Sequence, residues 1–212
     1  MKNFIYDPSL VLYLPLHMLD GASFMSKDAY GHSCAVTGAL WTPRGRSFDG
    51  TDDEIDTGSS ATLNLTTAIS VIMWVKPDLS ANRTLLSRCV NSTHGYTLIA
   101  ASNSNLYLIS RNSNVDPGTL SKSGLVTNTW YQVGFIWVSS VKRALVLNGE
   151  LFSEGSTDVD IPSIPTDHTY IGRNDPWYGS RFKGLIGEVR LYNQALSSLE
   201  IQHNYLATKW RY

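Results

Sequence analysis

The hydrophobic positions of this 212-residue chain fall into short runs at even spacing, separated by turn residues, which is the pattern of a β-sandwich or barrel. Leu10–Leu16 reads as a first strand. Ala35–Trp41 and Arg46–Phe48 read as short strands around a turn at Pro43 to Gly45. Ala68–Val75 (AISVIMWV) is almost wholly apolar, as expected of a strand covered on both faces. Arg83–Val90, Gly95–Ala101 and Asn105–Ser110 read as a meander. In Trp130–Ser139 the pattern alternates: Tyr131, Val133, Phe135 and Trp137 take one face, and Gln132, Gly134, Ile136 and Val138 the other.

The clearest hairpin is ALVLNGELF, residues 144–152, because Asn148-Gly149 tolerates the positive φ values of a type I′ turn. Tyr170–Gly172 and Leu185–Tyr192 supply the last strands, and only the end is helical in pattern. There Ser197 and Glu200 form the S-x-x-E capping box ahead of Leu199, Ile201 and Tyr205. No linker, repeat or low-complexity segment divides the chain, so residues 1–212 are expected to form a single domain.

Composition narrows the function classes. The 42% apolar and 17% charged content is that of an ordinary globule, and the net charge of −1, with both signs dispersed, predicts no nucleic-acid surface. No window approaches the roughly 18 apolar residues of a membrane helix, so no membrane insertion is expected. The N-terminal apolar run is broken by Asp7, Pro8, Pro15 and His17 and lacks a small-residue cleavage site. It reads as a strand and not as a signal peptide, so export, if it happens, is expected by another route: assembly into a particle, lysis or a leader outside this sequence. Cys34 and Cys89 match no metal spacing and read as buried free thiols, with a disulfide the alternative.

Several segments carry a resemblance. LVLYLPL, then a loop with Asp20, Asp28 and Tyr30-Gly31-His32, is followed by RSFDGTDDEIDTG at 46–58, ISVIMWVKP at 69–77, TWYQVGFIW and LVLNGEL. YIGR and FKGLIGEVRLYNQALSSLEI close the series. In order and spread these resemble the laminin-G-like, concanavalin A-like jelly-roll family. Glu54 stands where an aromatic is commoner in that family. The resemblance implies an all-β fold of two antiparallel sheets face to face, one concave and one convex, with a short C-terminal helix. It also implies an extracellular, cell-surface or virion-associated location.

The same family often holds a structural calcium with the help of an Asp that precedes the Glu of the closing strand. Here that position is Gly187, and losing a carboxylate weakens a site that wants six to eight oxygens. Asp20, Asp28 and Glu188 remain as contributors, and no cofactor is expected.

The acidic run of Asp49, Asp52, Asp53, Glu54 and Asp56 is the densest candidate for chemistry. Asp52, Glu54 and Asp56 share one strand face by period two. Three like charges with no cation close in sequence suit solvent or an ion better than a desolvated cleft. Asp49-Gly50 is a turn signal, and Asp53 can accept bonds from nearby backbone N–H groups. A structural role is therefore favoured over metal contact and catalysis. Jelly-roll glucanases carry E-x-D-x-x-E on one strand, and no such motif occurs; nor does a G-x-S-x-G elbow or a phosphate loop. The chain is not expected to be an enzyme.

Sugar recognition joins an aromatic platform to planar polar groups. The loop GRNDPWYGSRF, residues 172–182, has that composition, with Arg173, Asn174, Asp175, Trp177, Tyr178 and Arg181 as the candidate carbohydrate-binding residues. A protein interface and plain packing over the sandwich edge are its alternatives. Arg88, Asn91, His94 and Tyr96 form a second candidate group, whereas Trp74 and Trp137 read as core. The expected function is a non-catalytic carbohydrate-binding or adhesion domain whose partner is a glycan or polysaccharide. Self-association into a homo-oligomer or multivalent display would add avidity. A structural subunit of a viral particle or cell-surface filament is the alternative, and a polysaccharide lyase or hydrolase with an unrecognised site is a weaker one.

Overall fold

The computed structural model describes residues 7–90, 94–112, 118–156, 159–173 and 181–212. In chain order its strands are β1 (Leu10–Leu14), β2 (Ser23–Met25), β3 (Ser33–Thr37), β4 (Leu40–Thr42), β5 (Gly45–Asp49) and β6 (Glu54–Asp56). The central strands are β7 (Ala68–Pro77), β8 (Arg83–Val90), β9 (His94–Ala100), β10 (Asn105–Arg111) and β11 (Leu120–Ser123). The remainder are β12 (Tyr131–Val138), β13 (Lys142–Leu147), β14 (Glu150–Ser156), β15 (Tyr170–Ile171) and β16 (Lys183–Tyr192), followed by helix α1 (Ser198–Thr208).

They build two eight-stranded antiparallel sheets. The first runs β14-β13-β12-β7-β16-β5-β4, with β1 also paired to β16; the second runs β11-β10-β9-β8-β15-β6-β3-β2. On β16 the neighbours share an edge: β1 pairs with its end at Val189–Tyr192 and β5 with its start at Lys183–Ile186. The inner faces meet in one apolar core that includes Val71, Met73 and Val75 of β7, Phe135 and Trp137 of β12, and Ile55, Leu86 and Ile171 of the second sheet.

The two-sided burial expected of β7 has a concrete cause. Its other face, with Ile72, joins Leu10, Tyr13, Ile136, Val146 and Tyr192 in a second apolar cluster that Leu196 and Ile201 of the C-terminal segment cover. Ser70 ties that segment down, since its Oγ donates to the Gln194 carbonyl and accepts from the Leu196 N–H. Helix α1 starts at the predicted capping box, with Ser197 and Glu200 each accepting from the other's backbone N–H. The Asn148-Gly149 turn has positive φ at both residues, 50° and 84°, as a type I′ turn requires.

Two departures from the sequence reading concern this frame. Ala35–Trp41 is not one strand: the chain leaves the second sheet at Thr37, turns through Gly38 at φ +70° and enters the first sheet at Leu40. Cys34 is buried in the core, where burial pushes its thiol up to about 12, while Cys89 is only half-buried; both are free thiols.

One buried group under α1 is poorly served. Gln132 is fully buried on the helix-covered face, opposite Trp74, and neither its amide oxygen nor its amide nitrogen has a partner among the described residues. An unmade bond to a buried amide costs roughly 1–3 kcal/mol. Gln132→Met keeps the shape of the side chain and removes the polar atoms. It is expected to raise stability by about 1–2 kcal/mol, read as a higher urea midpoint with an unchanged slope.

Candidate functional site

The site is built on the second sheet, on the face turned away from the core. Register places Ala35, Asp56, Tyr170, Ser87, Thr97 and Ile109 in one row across β3, β6, β15, β8, β9 and β10. Ile55, Ile171 and Leu86 alternate with that row into the core, so the row itself faces outward. Tyr170 is its centre. His168 stacks on it with ring centroids 5.8 Å apart and planes 24° apart, and the Arg173 guanidinium lies 4.5 Å from its ring centroid. His168 Nδ1 lies 2.8 Å from both carboxylate oxygens of Asp56. Burial, reinforced by Asp56, pushes the Tyr170 phenol above its usual range, so it stays a neutral hydrogen-bonding group.

The arginine- and tryptophan-bearing loop is rooted beside this row. The Phe182 N–H donates to the Gly172 carbonyl at 2.8 Å, and the Gly172 N–H donates to the Leu85 carbonyl at 3.0 Å, which closes the loop at its base. Phe182 packs edge-on against Phe48 with centroids 5.6 Å apart, which anchors the root in the core.

Glu54 then bridges the two ends of the loop. One of its carboxylate oxygens takes Arg173 at 3.0 Å and the other takes Arg181. Arg181 also donates to the Asp52 carbonyl at 3.2 Å, and its own carbonyl accepts from Arg83 at 3.3 Å. Ser87 donates to the Arg173 carbonyl. A half-buried carboxylate holding two guanidinium groups is a network and not an isolated surface pair, so it fixes geometry as well as charge.

Of the predicted residues, Arg173 and Arg181 are brought together in this way. Asn174, Asp175, Trp177 and Tyr178 lie outside the described residues. The sequence reading missed Glu54, Asp56, His168 and Tyr170 as a group. It took the shared face of Asp52, Glu54 and Asp56 to be three like charges suited to solvent or an ion. The structure pairs Glu54 with Arg173 and Arg181, and Asp56 with His168, partners 112 to 127 positions away. Glu54 at the family's aromatic position was the available signal.

Two members of the second predicted group are buried. Arg88 is 1% exposed and Tyr96 3% exposed. Arg88 donates to Thr169 Oγ1 at 3.1 Å and to the Ile164 carbonyl at 3.0 Å, while Tyr96 packs edge-on against Phe135 and Trp137. His94 is half-buried, and Asn91 lies outside the described residues. Trp137 and Trp74 are buried as expected, Trp74 beneath α1, where its Nε1–H donates to Thr208 at 2.9 Å.

The rest of the acidic run is a turn. Asp53 is buried and accepts the Asp49 N–H at 2.7 Å, and Asp49 accepts the Thr51 N–H at 2.7 Å. Burial pushes the Asp53 carboxyl up, against the pull of the Asp49 N–H.

Two of the three residues proposed for a family calcium, Glu188 and Asp28, already have partners within the protein. Glu188 gives its carboxylate to Arg190 and Arg211, and Asp28 accepts the N–H groups of Tyr13, Tyr30 and Gly31. At Gly187 the space where an Asp side chain would begin is filled by the ring of Tyr212, which stacks on Trp74 with centroids 4.7 Å apart. Gly187 is also the bulge at which β16 shifts register against β7.

Solved structures share this architecture at low sequence identity. Domain 4 of AbnA, a GH43 extracellular arabinanase from Geobacillus stearothermophilus in complex with arabinotriose, is 20% identical over 92% of this chain and 97% of that one, with a TM-score of 0.75. The binding domain of botulinum neurotoxin DC in complex with SialylT is 13% identical over 94% of this chain and 52% of that one, TM-score 0.74. The receptor-binding domain of botulinum neurotoxin D is 17% identical over 94% and 53%, TM-score 0.74. The chain spans about half the length of these neurotoxin domains. No curated protein sequence matches it. No helix among the described residues is long and apolar enough to cross a membrane. Residues 49–202 match the family model Laminin_G_3, described as the concanavalin A-like lectin/glucanases superfamily. With well over half its length matched, the chain belongs to the concanavalin A-like lectin/glucanases superfamily.

Proposed function

We propose that residues 1–212 act as one non-catalytic carbohydrate-binding unit working outside the cell, with its glycan contacts on the 173–181 loop and the Tyr170 row beside it. The observation that carries the reading is the Glu54 bridge, which preorganises Arg173 and Arg181 next to an aromatic ring and a histidine. Such a surface suits hydroxyl groups and C–H faces, and preorganisation lowers the entropic cost of holding a weak ligand. Arg173, Asn174, Asp175 and Arg181 supply planar polar groups, and Trp177 and Tyr178 supply stacking area.

Catalysis is disfavoured because Glu54 is already engaged by two arginines and Asp56 by His168. Glycan ligands named for two similar folds, arabinotriose and SialylT, support the ligand class without choosing a sugar.

A glycan array of the wild type and of Trp177→Ala tests the reading. The wild type is expected to give a reproducible signal that the variant loses by tenfold or more, as removal of a stacking aromatic does. Silence of the wild type on every glycan, or an undiminished variant, would refute it. A second reading, a building block of a larger assembly, is favoured by one observation, the apolar outer face of α1.

A further inference from the structure

Helix α1 buries Ile201, Asn204 and Thr208 against the first sheet, yet its opposite side is also apolar. Leu199 is 76% exposed, Leu206 50% and Trp210 74%. At about 100° per residue Leu199 and Leu206 lie on one stripe, which the turn Lys209–Arg211 extends to Trp210. Two contacts orient Trp210: its Nε1–H donates to the Ala207 carbonyl at 2.8 Å and the Arg211 guanidinium lies 5.1 Å from its ring centroid. A large, preorganised indole whose polar atom is already satisfied is the type of side chain that anchors interfaces.

The other end of the helix has the complementary shape. Beside Leu199, an open groove of about 510 Å³ runs between the helix start and the β13–β14 hairpin, lined by Lys142, Glu150, Leu151, Leu196 and Ser197 among others. Leu199 at the groove and Trp210 lie eleven residues apart along α1 and the turn that follows it, roughly 16 Å at helical rise.

Charge follows the same division. Lys209 precedes Trp210, whereas Arg211 after it is paired with Glu188; Glu150 lines the groove, with Lys142 the one cation among its described lining residues, and Glu200 follows Leu199 on α1. A two-fold axis through the middle of α1 sets the helices antiparallel. Each Trp210 then meets the other copy's groove, and each Lys209 meets the other copy's Glu150. Such self-complementarity, in which each contact occurs twice, is the hallmark of an isologous dimer.

We infer that the exposed face of α1 is a homodimer interface, in which the Trp210 knob of each copy seats in the Leu199–Glu150 groove of the other. This inference does not rest on the glycan reading. The patch is small, so the dimer is weak, forming at micromolar concentrations. The first sheet carries α1 on its outer face, which leaves the Tyr170 face of the second sheet free in both copies.

Sedimentation of the chain across about 1–200 µM reads the result directly. The mass is expected to rise from the 23.5 kDa of one chain to twice that value. Trp210→Asp, fully folded by circular dichroism, should hold it at one chain throughout. Glu150→Lys should weaken association by about tenfold, and adding Lys209→Glu should restore it by exchanging the charges across the axis. A wild type that stays at the mass of one chain overturns the inference. So does a Trp210→Asp variant that dimerises like the wild type, or a double variant no better than Glu150→Lys alone.

Discussion

Replacing Glu188 by alanine is expected to lower the stability of the fold by about 3–5 kcal/mol, the largest single effect anticipated outside the apolar core. Glu188 and Arg190 project from the same face of β16 and are both sealed beneath α1, 1% and 0% exposed. The Glu188 carboxylate takes Arg190 on one oxygen and Arg211 on the other at 3.3 Å. Arg190 in turn donates to Asn204 at 3.0 Å and lies 5.6 Å from the ring centroid of Tyr13. Truncating the carboxylate leaves a buried guanidinium without its counter-charge, and desolvation of that ion dominates the loss.

The control is the pair Glu188→Leu with Arg190→Met, which removes both charges and keeps volume. It is expected to recover most of the stability, because a buried pair exchanged for apolar groups is close to neutral. Urea melts of the three proteins decide the point. Equal losses in the single and the double variant would mean that the packing of these stems, and not their charge, holds the helix.

Glu54→Ala is expected to cost less stability, about 1–3 kcal/mol, and to have the larger effect on binding. Glu54 contributes little to the core. Its two arginines come from the two ends of the 173–181 loop, so its loss releases both ends at once. Any glycan signal is expected to fall at least tenfold while the melting curve shifts by only a few degrees. Glu54→Gln keeps the shape and one acceptor without the charge, and should fall between the two. A Glu54→Ala protein that binds its glycan as tightly as the wild type would show that the clamp plays no part in recognition.

Much of the frame was legible because it rests on local patterns. The Asn148-Gly149 turn, the Ser197–Glu200 box and the two faces of Tyr131–Val138 each depend on neighbours a few residues away, and each is found where the pattern puts it. Two kinds of feature were hidden. One is a change of sheet inside a continuous run, as at Gly38, where composition stays β-like although the chain crosses between layers. The other is any property set by distant partners. Arg88 was read as a member of a second candidate group, because alternation alone does not say which face is inside; in the fold it is buried and donates to Thr169 and to the Ile164 carbonyl.

The acidic run shows the same limit from the other side. Its turn, with Asp53 capping Asp49, was readable, since those contacts span four residues. The role of Glu54 was not, since Arg173 and Arg181 lie 119 and 127 positions further on. Two features that looked independent in the sequence, an acid-rich strand and an arginine-rich loop, are halves of one arrangement.

A glycan is expected to sit on the outer face of the second sheet. An NMR titration of the uniformly ¹⁵N-labelled chain with an oligosaccharide identified on the array locates it. The shifts are expected to concentrate at Glu54, Asp56, His168, Tyr170, Arg173 and Arg181, on the outer face of the second sheet. Shifts concentrated on the opposite face, around α1 and Trp74, with this group unmoved, would contradict it.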